Sequence, residues 1–195
     1  MTQKQARSLE TEEALIRAAL KLCTTKDASK VTVREICSVA GVSVGAFYHH
    51  YESRQDLFTK AYRSFDAELN RHMERRCHGK DPLQALTDLL LFQVSFVAQE
   101  ASSALTQYYC AILKDDTSAA VSSDRTYYRF AYECVQRLAD EGMLRPEYAP
   151  QKVADLCICF IRGCLIDWTL HKQDYNIVEH VRAVLPILFH GFLQK

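Results

Sequence analysis

The apolar positions of this chain fall at helical spacing almost from end to end, and nowhere do they alternate as a half-buried strand requires. Leu15, Ala18, Ala19 and Leu22 line one face of a first predicted helix at about 11–24, with Glu12 and Glu13 suited to its N-terminal dipole. Val33, Ile36, Cys37 and Ala40 recur at i, i+3, i+4 and i+7 and predict a second helix at about 32–39. Thr32 with Glu35 three residues on has the form of a capping box. Gly41 can take the left-handed conformation that ends a helix, and Ser43 is a good N-cap for a third helix at about 43–50. Two short helices joined by a glycine turn make the unit that sets its second helix into the DNA major groove.

A fourth helix begins at Ser53, where Asp56 completes another capping box. Its apolar stripe of Phe58, Ala61, Tyr62, Phe65, Leu69 and Met73 predicts one rod to about residue 77, about 35–40 Å long at the helical rise. His78-Gly79-Lys80-Asp81-Pro82 breaks the pattern, and Pro82 suits the first turn of a fifth helix, about 82–98, apolar nearly all round and so central. A sixth helix at about 102–114, a polar loop at 115–123 and a seventh at about 124–141, ending at Gly142, follow. An eighth begins after Pro150 and reaches about residue 171. A ninth spans about 177–193, with Pro186 expected to kink it. The expected fold is all-α with about nine helices: a helix-turn-helix domain over 1–56 and a second helical domain over 57–195.

Charge sharpens this division. The 195 residues carry no formal net charge, which at first argues against a nucleic-acid binder. Residues 1–80 nevertheless hold 14 Lys/Arg against 10 Asp/Glu, and the remainder holds the reverse, so the positive excess lies where the helix-turn-helix pattern lies. The first ten residues are polar and charged, unlike a secretory leader. The longest apolar stretch, Leu89 to Ala98, is interrupted by Gln93 and Ser95 and is too short for a bilayer. Eight cysteines in such a chain point to a reducing cytoplasm, most of them on apolar helix faces as small hydrophobes.

The run Thr32-Val33-Arg34-Glu35-Ile36, Ala40-Gly41-Val42-Ser43, Gly45, Phe47-Tyr48, Tyr51, Ser53-Arg54 and Leu57-Phe58 resembles the DNA-binding unit of the tetracycline-repressor (TetR) family. The resemblance reaches upstream to Ala14–Cys23 and, more loosely, downstream to Glu141–Arg145 and Gly163–Trp168; residues 80–140 match no motif. Asp27 stands where the family often has Gly, though Asp tolerates a left-handed turn better than most residues. Val44 replaces a polar or basic residue of many members, and Tyr51 replaces Phe.

The expected DNA-contacting set is Thr32, Arg34, Ser43, Val44, Gly45, Ala46, Tyr48, His49 and Arg54. Short side chains at 43–46 let the backbone approach base edges, Val44 and Ala46 suit thymine methyls, and His49 can hydrogen-bond a base. The resemblance implies that Thr32, Tyr48 and Arg54 touch phosphate. Phe47 and Tyr51 are expected to face inward.

The resemblance implies that 57–195 is an effector-binding and dimerisation domain, and with the aromatic surplus there it suggests an apolar pocket with polar handles, from Phe65, Phe92, Phe96, Tyr109, Tyr127, Phe130 and Cys134. A stripe of Leu156, Phe160, Gly163, Cys164 and Asp167, continued by Val184, Leu185, Leu188, Gly191 and Phe192, is expected to form a two-fold dimer interface. His72, Cys77 and His78 are too poorly spaced for a metal site, and no cofactor is expected. The function expected is that of a dimeric, effector-responsive transcriptional regulator on double-stranded operator DNA, with no membrane partner. The alternatives are a thiol-sensing regulator and an all-helical ligand-binding protein or enzyme. No paired carboxylates, activated nucleophile or phosphate loop favour the enzyme.

Overall fold

The structure is a computed structural model describing residues 3–76, 81–114 and 121–194. Its described residues form ten α-helical segments: α1 Gln3–Cys23, α2 Val33–Ala40, α3 Val44–His50, α4 Arg54–Thr59, α5 Tyr62–Arg76, α6 Pro82–Phe96, α7 Leu105–Lys114, α8 Thr126–Asp140, α9 Pro150–Leu170 and α10 Ile177–His190. One isolated antiparallel bridge joins Leu144 to Leu193. None of the described helices is long and apolar enough to cross a membrane.

Three local features differ from the sequence reading. First, α1 begins at Gln3 rather than near Thr11, because the polar opening turns still close backbone bonds without an apolar stripe. Second, the expected rod over 53–77 is broken: α4 ends at Thr59 and α5 starts at Tyr62. At the break, Ala61, Arg63 and Ser64 N–H groups reach the carbonyls three residues back, so the chain tightens to 3-10 geometry. An apolar stripe alone does not register such a tightening. Third, the expected fifth helix is α-helical only to Phe96, followed by a π-helical turn over Val97–Ala101 and a 3-10 turn over Ser102–Ala104.

Packing divides the chain into two compact units. One contains residues up to Phe65 together with Glu100–Val121; the other contains Asp66–Gln99 and Ser122–Lys195. In the first, α1, α2, α3 and α4 surround a core of Leu15, Ile16, Ala19, Ile36, Cys37, Phe47, Tyr51, Leu57 and Phe58, all buried, which Ala104 joins. Burial of each of its Leu, Ile and Phe side chains contributes about 1.5–3 kcal/mol, so this unit has an apolar interior of its own. α7 packs on α4, where Gln107 Nε2 donates to Gln55 Oε1 at 3.1 Å. In the second unit α8 packs against both α6 and α9, and α10 packs against α6 and α9. Leu86, Leu89, Leu90 and Val94 of α6 are buried, as expected of its apolar circumference. Pro186 lies inside α10.

Candidate nucleic-acid interface and effector unit

The turn between α2 and α3 is held by caps whose chemistry the sequence dictates. Thr32 Oγ1 accepts from Glu35 N–H at 3.3 Å while the Glu35 carboxylate accepts from Thr32 N–H at 2.9 Å, a complete capping box. Lys26 Nζ donates to Glu35 at 2.7 Å. That hydrogen bond first, and those from Thr32 next, hold the Glu35 carboxyl down at about 2. Gly41 takes φ 71°, and no other atom of the chain crowds its missing Cβ, so backbone conformation alone demands glycine there. Ser43 Oγ accepts from Ala46 N–H at 3.1 Å and opens α3.

α3 is pinned from beneath. Phe47 is fully buried with its ring centroid 5.5 Å from that of Tyr51, and Tyr51 is 1% exposed, its hydroxyl donating to Glu12 O at 3.5 Å. Burial raises the Tyr51 hydroxyl far above the ordinary phenol range. Away from this anchor Ser43, Val44, Gly45, Tyr48 and His49 are exposed and Ala46 is partly exposed; Thr32 and Arg34 on α2's first turn are exposed as well. Tyr48, 58% exposed, stands edge-on to Phe47 at 5.3 Å. Gly45 does not have a positive φ, and a Cβ there would meet only Ser43 Oγ at 3.7 Å. The chain's own packing therefore gives no reason for glycine at that position.

Arg54 has partners the sequence did not reveal. Its Nη1 donates to the Ala28 carbonyl and, at 3.2 Å, to Val31 O, so its partly buried guanidinium closes the loop between α1 and α2. Asp27 does not turn left-handed; with φ −52° it caps the 3-10 turn Ala28–Lys30, accepting from Ser29 N–H at 2.7 Å. An Asp side chain can bond its own backbone two residues on, which makes a glycine-like turn unnecessary.

The seven expected pocket residues are divided between the units: Phe65 and Tyr109 in the first, Phe92, Phe96, Tyr127, Phe130 and Cys134 in the second. Within the second, Phe92 and Phe96 lie 6.3 Å apart, and Phe92 stacks on His72 at 4.4 Å. Tyr127 and Cys134 are buried on α8, and Phe130 between them is partly buried. A groove of about 460 Å³ lies elsewhere in this unit, between α6 and α10, lined by Leu83, Thr87, Leu185, Pro186 and Phe189 among others; none of the seven lines it. Burial pushes the Cys157 thiol up to about 12 and the Cys23 thiol up to about 11, which keeps both protonated. Cys23, Cys37, Cys134 and Cys157 are buried, Cys110 and Cys159 are exposed, and Cys77 and His78 lie outside the described residues.

Residues 15–61 match the family described as bacterial regulatory proteins, tetR family. The repressor KstR2 of Mycolicibacterium smegmatis is 30% identical over 194 residues, spanning 94% of this chain and 91% of that one. The chain belongs to the TetR family. AcrR of Shigella flexneri, an HTH-type transcriptional regulator, is 22% identical over 94% of this chain and 90% of its own. The fold is shared with FadR of Bacillus subtilis, solved in complex with stearoyl-CoA, at TM-score 0.73 and 15% identity, covering 91% of this chain and 97% of that one.

In this TetR-family regulator the five α9 residues of the expected dimer stripe are all at least partly exposed. Leu156 is 49% exposed, Gly163 and Asp167 are exposed, and Phe160 and Cys164 are partly so. Ile166 and Leu170, missed in the sequence, extend it, the latter 75% exposed. On α10 the face needs correction. Phe192 and Leu185 are buried in their own unit, because they continue the stripe of Ile177, Val181 and Phe189 that packs inward. Val184, Leu188 and Gly191 remain at least partly accessible, and Ile187, at 73%, stands among them.

Proposed function

We propose that this transcriptional regulator works as a homodimeric repressor, binding a palindromic operator through two copies of α3 and releasing it when a small apolar or aromatic effector enters the helical C-terminal domain. The observation that carries the DNA half is the accessible row Ser43, Val44, Gly45, Tyr48 and His49, set on a helix that its caps and Phe47 hold in one orientation. Gly45 supports it further, since an approach from outside explains a glycine that internal packing does not. Thr32, Arg34 and Tyr48 supply phosphate contacts and fix register, while Val44, Ala46 and His49 read base edges. Arg54 reaches phosphate only with the N–H groups its loop contacts leave over.

Dimerisation is supported by Leu156, Ile166, Leu170 and Ile187, large apolar side chains left in water on α9 and α10. An effector-binding C-terminal domain is supported by the aromatic set on α6 and α8, and by the stearoyl-CoA held by the FadR that shares this fold. Repression is supported by the name of the KstR2 relative. An effector releases the operator only if it prefers the conformation that does not fit the two half-sites.

Selection of genomic fragments by the purified protein, followed by footprinting, tests this reading. The expected result is a two-fold symmetric site with half-sites about one helical turn, or a multiple, apart. Absence of preference for any duplex overturns it.

A further inference from the structure

The seam between α8 and α9 holds a guanidinium that forms no ion pair with any described residue. Arg162 of α9 is partly buried, and its Nη2 donates to the Tyr128 hydroxyl oxygen at 2.6 Å. Among the described residues this is its one hydrogen bond, and it forms no ion pair. Tyr128 is 7% exposed, and its own proton has no acceptor among the described residues.

The acids on the same helix are engaged elsewhere: Asp155 accepts from Tyr132 at 2.9 Å, and Asp167 accepts from Tyr175 at 3.1 Å. The neighbouring Arg125, 6.0 Å above the Tyr128 ring, is matched by Asp66 at 2.8 and 2.9 Å. Of the two guanidiniums near Tyr128, Arg125 is paired with Asp66, and Arg162 has no ion pair among the described residues. Tyr127 lies in the same field: both arginines act on its hydroxyl, which burial raises above the ordinary phenol range. The remaining N–H groups of Arg162 are not buried, so an incoming acceptor can reach them. An acceptor-rich anion shaped to the guanidinium fork would meet both these N–H groups and the Tyr128 proton.

We propose that Arg162 and Tyr128 form a receptor for an oxyanion, the carboxylate or phosphate head of an amphipathic molecule whose body is apolar. This rests on reading the helical C-terminal domain as effector-binding and names the chemistry that the effector carries at one end. Arg162 supplies the charge and a two-pronged contact; Tyr128 turns its proton to the anion while its oxygen keeps Arg162 in place.

The full-length protein is titrated calorimetrically with dodecanoate, dodecyl phosphate and dodecanol. At least one anion should bind about tenfold or more tightly than the alcohol, the scale of one charge-assisted hydrogen bond. Whichever anion is preferred identifies the carboxylate or the phosphate source. Arg162→Gln should erase the preference while leaving dodecanol affinity within about twofold, Arg162→Lys should restore part of it, and Tyr128→Phe should lower it. If Arg162→Gln fails to fold by circular dichroism, Tyr128→Phe decides, since its full retention of the preference overturns the site. Equal affinity for acid and alcohol, binding of none of the three, or a preference surviving in Arg162→Gln also overturns it. So does conversion of Arg162→Gln to a monomer with the preference intact, which would assign the guanidinium to a second copy. Operator release separates the two readings. Release by dodecanol as effective as by the anions leaves the effector reading standing without the oxyanion site. An anion bound through Arg162 that releases no DNA does the opposite.

Discussion

Two faces of this protein leave apolar side chains in water, and they are built differently. On α2 and α3 the exposed apolar groups are Val39, Val44 and Tyr48, set among Thr32, Arg34, Ser43 and His49. On α9 and α10 they are Leu156, Ile166, Leu170 and Ile187, on helices whose opposite sides fill a core. The first mixture suits a polar, anionic surface that offers scattered methyl groups, as a DNA groove does. The second suits another apolar surface. Exposure of hydrophobes alone does not distinguish the partners; the company they keep does.

The contrast breaks most visibly at Ile187. Ile187→Asp should turn the dimer into a monomer in sedimentation analysis and weaken operator binding by about a hundredfold or more, since the two half-sites no longer act together. A dimer that persists would place the two-fold contact elsewhere. Tyr48→Ala, on the other face, should leave the dimer intact and weaken operator binding about tenfold in fluorescence anisotropy, with its salt dependence little changed because no charge is lost. Arg34→Ala should also spare the dimer, but lower the slope of log affinity against log salt by about one.

Arg54→Ala sharpens the comparison within the DNA-binding unit. Loss of its bonds to the Ala28 and Val31 carbonyls should destabilise that unit by about 2–3 kcal/mol in denaturant unfolding, whereas Arg34→Ala should not. The smallest effect concerns acid. Glu35 is held at about 2 against an ordinary 4.5, so its stabilisation of the α2 cap is present above about pH 4.5 and fades as pH falls towards 2. Glu35→Gln should flatten that part of the pH–stability profile measured by thermal melting.

The two units also differed in how far they could be read from sequence. Around α2 and α3 the determinants are local: a cap three residues from its partner, a glycine at φ 71°, a stripe within eight residues. Thr32, Gly41, Ser43 and Phe47 each act through neighbours close in the chain, and each stands in its predicted place. Arg54 escaped because its carbonyl partners are 26 and 23 residues away. The break after Thr59 escaped because the apolar stripe continues across it. Phe192 escaped because α10 has apolar residues on more than one face, and periodicity does not say which face meets a core.

By itself, then, the sequence determined an all-helical chain and the short exposed helix α3 with its caps and anchors, because hydrogen bonds and periodicity over three or four residues are sufficient for both. Tertiary structure decided which side of α10 is covered, which arginine holds a loop, and which arginine lies in the α8–α9 seam with no ion pair among the described residues. Those outcomes depend on groups far apart in the chain, whose distances are set only when the helices pack.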